Sequence, residues 1–149
     1  MALPVMLAFG LGLWPGPVPA GDPTRAVAER QAEMDRMAEA MRVLGRFLKG
    51  EAVTAAEIAA GAGAIHRIAA GLAAGLFPEG TAIGVGNSAA RPEIWQEWDL
   101  FGQYATDLRA AAVRLAAVAA TGDVRALREP VVAVVRACGA CHELFRKKP

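Results

Sequence analysis

The sequence predicts an all-α protein, an antiparallel up-down-up-down four-helix bundle, and three observations carry that prediction. Hydrophobic residues make up 54% of the chain but aromatics only 6%, and the excess is largely alanine, the strongest helix former. Four stretches repeat apolar residues every three or four positions, the stripe of a helix that buries one face. No stretch has the alternating pattern of a half-buried strand, and three connections, one of them long, join the four helices. A chain of 149 residues supports one domain with a sizeable core and is short for two.

The first helix opens at Asp22-Pro23, a capping side chain followed by proline at the first helical position. Its stripe is Val27, Met34, Met37, Met41, Leu44 and Leu48, its opposite face is charged from Glu29 to Arg46, and Gly50 closes it. Thr54-Ala55-Ala56-Glu57 reads as a capping box. The second helix then carries Ile58, Ile65, Ile68, Leu72 and Leu76, with alanines and glycines between them that let a neighbouring helix or a flat cofactor come close, and ends by Pro78. His66 lies beside this stripe, the position of a boundary histidine.

Residues 78–91 form the one long connection, and a loop of that length in a compact bundle is functional or mobile. Pro92 should start the longest helix, with Ile94, Trp98, Phe101, Ala105, Leu108, Ala112, Leu115 and Ala119 stepping by three and four. Thr121-Gly122-Asp123 turns the chain, and Asp123 caps a last helix through Val131, Val134, Cys138, Cys141 and Phe145. Pro130 should kink it. Arg146, Lys147 and Lys148 should finish it as cations at the negative end of the dipole.

Chemistry concentrates in Cys138-Gly139-Ala140-Cys141-His142. Two thiols three positions apart on a helix, with an imidazole directly after the second, match the covalent attachment site of one haem c. Each sulfur adds across one vinyl group, so the pair straddles an edge of the porphyrin while His142 reaches the iron. These are the only two cysteines, which leaves none for a disulfide framework or a four-ligand zinc site. A dithiol redox pair would follow a strand, and no strand is expected.

The other axial face of the iron decides what such a site does. In this bundle the first and last helices are antiparallel neighbours. Met34 lies about 16 Å from the start of one and His142 about 10 Å from the end of the other, at 1.5 Å per residue. That offset makes the Met34 thioether the candidate distal ligand. Met37 and Met41, one and two turns deeper, are core fillers.

A net charge of +1 excludes the basic balance of a nucleic-acid binder. The first twenty residues carry no charge and end in Val18-Pro19-Ala20, which reads as a secretory signal over 1–20, cleaved before a mature bundle at 21–149. No membrane attachment is expected of the mature chain.

The stretch Cys138 to Arg146 resembles the haem-attachment site of the cytochrome c′ family, the class II cytochromes c. Arg30-Gln31 with Met34, Lys49-Gly50-Glu51, and Arg91-Pro92-Glu93-Ile94-Trp95 agree with the same family, in order along the mature chain. In high-spin members an apolar residue covers a five-coordinate iron that binds nitric oxide and carbon monoxide; in a low-spin branch a methionine ligates the iron. The matching position here is Met34. The resemblance further implies that Arg146 lies near His142, that Arg30 faces a haem propionate, and that Phe101 and Trp95 pack on the haem or anchor a loop. Together these readings give a periplasmic, monohaem, low-spin carrier of single electrons, not an enzyme, serving redox partner proteins. The alternative is a five-coordinate cytochrome c′ that binds nitric oxide or carbon monoxide. Family members pair through their first two helices, and the small residues of the second helix permit a homodimer.

Overall fold

In the computed structural model, residues 16, 17, 19 and 21–148 are described. The signal segment lies almost wholly outside them. Helix α1, Pro23–Leu48, starts as its sequence dictates: the Asp22 carboxylate accepts from the backbone N–H groups of Thr24 and Arg25, with proline at the start. Gly50, at φ 78°, supplies the left-handed residue that lets the chain leave the helix. Helix α2, Ala55–Gly71, is entered through the full capping box, Thr54 Oγ1 accepting from the Glu57 N–H and the Glu57 carboxylate accepting from the Thr54 N–H. It continues into a π turn, Leu72–Leu76. The stretch Ala55–Leu76 is long and apolar enough to cross a membrane, and one face of it packs on the neighbouring helices as part of the core.

Two expectations for the second half need correction. The helix expected from Pro92 to Ala119 is broken: α3 spans Glu93–Gln96, Glu97 leaves helical geometry (φ −121°, ψ 47°), and α4 runs Trp98–Ala120. The turn before the break is held from outside, by the Trp95 indole N–H donating to the Phe77 carbonyl at 3.1 Å. The longest helix is therefore α1. After Gly122 (φ 75°), a 3₁₀ turn at Val124–Leu127 leads into α5, Arg128–Phe145. Pro130 is the third residue of α5 and causes no kink, because its missing N–H is one of those that the first turn of a helix leaves unpaired anyway.

The four long helices pack around one continuous core. Leu44, Ile58, Ile65, Phe101, Leu115, Leu127, Val131 and Val134 are all almost completely buried. Helices α1 and α2, α2 and α4, and α4 and α5 pack closely, whereas the α1–α5 seam is thin. Among the described residues the only strand-like features are two isolated bridges, Pro19 with Glu79 and Ala90 with Arg146.

Candidate haem site

The sulfurs of the attachment motif are placed by α5. Cys138 and Cys141 are partly buried and pack against the core. Both are free thiols. Burial raises the Cys138 thiol above its ordinary value, and burial together with the neighbouring Cys138 pushes Cys141 up to about 11. His142 lies on the exposed side of the last turn of α5. Loss of hydration chiefly, and the Arg146 charge in addition, lower its basicity, which favours the neutral imidazole that a metal requires. Two thiols packed on the apolar core and one imidazole in the last turn of the same helix are a donor set that fits a covalently held haem.

Helix α5 stops at Phe145 rather than at Lys148. Arg146 is extended (φ −111°, ψ 134°), and the segment is captured by the 78–91 loop. The Arg91 N–H donates to the Phe145 carbonyl at 2.9 Å, and the Lys147 N–H donates to the Ala89 carbonyl at 2.8 Å. The three terminal cations therefore do not sit on the helix dipole. His142 lies about 4.5 Å from the end of its helix and Met34 about 16 Å from the start of α1, at about 1.5 Å per residue. Met34 itself is partly buried and packs on the same core as the two cysteines. Met37 is buried and Met41 half-buried, as core fillers should be.

Arg30 has a role that sequence reasoning missed. The side chain is 4% exposed and donates to Thr81 Oγ1 at 2.7 Å, to the Thr81 carbonyl at 2.9 Å and to Ser88 Oγ at 2.8 Å. Its guanidinium lies 4.6 Å from the centre of the Phe77 ring. Among the described residues no carboxylate pairs with it, and desolvation lowers its pKa to about 10. A buried cation without a counter-charge is rare, and an anionic haem edge would supply one.

Phe101 is buried at the centre of an aromatic cluster, with Phe77 at 4.8 Å, Trp98 at 5.6 Å and Phe145 at 5.6 Å between ring centres. Tyr104 meets the other side of the Phe145 ring at 5.9 Å. Trp95 is half-buried and anchors the end of the second helical segment through Phe77. Arg146 is exposed. His66 is a boundary residue, and its Nδ1 is buried without a hydrogen-bond partner.

The family model described as Cytochrome C′ matches residues 25–146. The chain is 35% identical over 126 residues to cytochrome c-554 of Cereibacter sphaeroides, covering 83% of this chain and 94% of that protein. Among solved structures it is similar to a cytochrome c′ described as having an unusual ligand-controlled dimer dissociation, with a TM-score of 0.76, 30% identity, and 87% and 99% of the two chains covered. It is also similar to the nitric oxide complex of a leucine-to-alanine mutant of cytochrome c prime from Alcaligenes xylosoxidans. That likeness has a TM-score of 0.75 and 33% identity and covers 87% and 99% of the two chains.

Proposed function

Since the chain belongs to the cytochrome c′ family, a family of haem c proteins rather than of classical enzymes, we propose that it binds a small diatomic gas, nitric oxide or carbon monoxide, at a five-coordinate haem. The observation that carries this reading is the match to the cytochrome c′ family over residues 25–146, with Met34, partly buried and packed on the core, read as an apolar cover. The nitric oxide complex of a structural relative supports the same choice. When bound, the haem supplies an iron that takes the gas and exchanges one electron.

The chain's own residues do the rest. Cys138 and Cys141 fix the macrocycle through two thioethers, His142 offers a neutral imidazole to one face, and Arg146 adds positive charge on that side. Arg30 supplies the cation that a propionate would neutralise. Phe101 forms an apolar wall of the pocket, Trp95 anchors that wall through its indole N–H on the Phe77 carbonyl, and the apolar surroundings exclude water from the open face.

A second reading has one observation in its favour: Met34 packs on the same apolar cluster as Cys138 and Cys141. As the sixth ligand it would make the protein a low-spin carrier of single electrons between redox proteins, since a soft thioether stabilises ferrous iron. Substituting Met34→Leu separates the two. A five-coordinate site keeps its ferric spectrum on substitution; a methionine-ligated one turns from low spin to high spin.

Export to the periplasm, with cleavage after Ala20, is proposed on the uncharged apolar leader and on the chemistry of the attachment motif. Pairing of two bundles is proposed on the open groove of about 350 Å³ between α1 and α2, lined by Glu33, Arg36, Ala64, Arg67, Ile68, Gly71 and Leu76, and on the dimer of a relative. Sedimentation of the holoprotein with and without carbon monoxide tests it.

A further inference from the structure

Thr81 and Ser88 are, with Arg30, the buried polar side chains among the described residues, Thr81 at 0% and Ser88 at 8% exposure. Nothing in the attachment motif requires them. Every hydroxyl is nonetheless fully used. Thr81 Oγ1 accepts from Arg30 and donates to the Pro78 carbonyl at 2.8 Å; Ser88 Oγ accepts from Arg30 and from the Ala90 N–H and donates to the Thr81 carbonyl at 2.8 Å. Beside them Gln31 donates to the Asn87 carbonyl at 3.0 Å. The loop is thus bolted to α1 one turn before Met34.

Two residues beyond Ser88 the same loop grips the other side. Ala90 bridges to Arg146, Arg91 donates to Phe145, and Lys147 donates to Ala89, all within a few residues of His142. A second route runs in parallel through side chains: Arg30 over Phe77, Phe77 against Phe101, Phe101 against Phe145. The helices themselves meet only thinly along the α1–α5 seam, so the spacing of their haem-facing turns is carried mainly by this strap.

We propose that Thr81 and Ser88 are positioning residues: by clamping Arg30 on one side and aligning residues 89–91 against 145–147 on the other, they set the distance between the Met34 turn and the His142 turn, and with it the hold of the iron on its sixth ligand. The proposal rests on the haem reading above, and its test separates the two. Holoprotein carrying Thr81→Val, Ser88→Ala or the conservative Thr81→Ser is compared with wild type for amide exchange at Arg91 and Lys147, for carbon monoxide dissociation from the ferrous form, and for midpoint potential. Thr81→Val should speed exchange at both amides about tenfold and change the dissociation rate about fivefold, the factor that one lost net hydrogen bond carries, while Thr81→Ser restores both. Ser88→Ala, which keeps both bonds from Arg30 to Thr81, should act in the same direction and guards against a Thr81→Val protein that fails to mature. Unchanged exchange overturns the proposal. So does faster exchange with unaltered ligand dissociation and potential. If wild-type ferrous protein takes no carbon monoxide, the gas reading fails by itself, and a potential displaced in Thr81→Val but not in Thr81→Ser still upholds the strap, whereas equal potentials overturn it.

Discussion

Replacing Phe101 by leucine tests whether that ring is the hub of the core or mainly a wall of the haem pocket. Phe101 makes three ring contacts at 4.8, 5.6 and 5.6 Å, and such pairs are each worth about 0.5–1.5 kcal/mol beyond area burial. Leucine keeps most of the apolar volume but none of the ring geometry, so the loss should be about 2–4 kcal/mol, allowing for partial collapse of the site. In a domain of this size that lowers Tm by roughly 5–15 °C. Urea denaturation of the reduced holoprotein, followed in parallel by helical circular dichroism and by the Soret band, measures it. A loss below about 0.5 kcal/mol, within the range of ordinary surface substitutions, would refute the hub. A displaced Soret band at unchanged stability would instead make Phe101 a haem contact first.

Other substitutions reach separate parts of the account. Thr54→Ala removes the α2 cap and should cost about 1 kcal/mol at neutral pH in chemical denaturation. The Thr54 backbone N–H, and then its hydroxyl, hold the Glu57 carboxyl below its usual 4.5; alanine keeps the first and loses the second, so the hydroxyl's share of the wild-type advantage is present above that value and is lost as the pH falls through the depressed one. Equal Thr54→Ala losses at pH 7 and pH 3 would contradict this. Gly61→Ala should stabilise by up to about 1 kcal/mol, since the new Cβ would stand 3.6 Å from the Ala40 carbonyl, an ordinary contact; a fall in Tm would mean that α1 and α2 cannot give at all. Cys138→Ala with Cys141→Ala should abolish haem staining on a denaturing gel, and retained stain would place the attachment elsewhere.

What the sequence reveals of this molecule is what local physics encodes. The caps at Asp22 and Thr54–Glu57 and the left-handed Gly50 act within a turn or two of themselves, and each stands in the structure where its pattern puts it. The features that escape sequence reasoning are decided by partners far along the chain. The family resemblance points Arg30 at a haem propionate, but nothing local announces Thr81 and Ser88, 51 and 58 residues away, which take it inside. Three basic residues after Phe145 look like a helix end, but the loop at Ala89 and Arg91 pulls them into an extended segment. The break at Glu97 interrupts an unbroken apolar stripe, because Ile94 and Trp98 stay buried on both sides of it. Pro130 turns on register: a 3₁₀ turn delays the start of α5 and makes the proline harmless.

The most direct test of the central claim is the visible spectrum of the purified ferric holoprotein, followed by dithionite reduction under carbon monoxide. A five-coordinate haem behind Met34 predicts a high-spin ferric spectrum and prompt carbon monoxide binding on reduction. A methionine-to-iron charge-transfer band in the ferric form, with a ferrous form that takes no carbon monoxide, would contradict it and make Met34 a ligand.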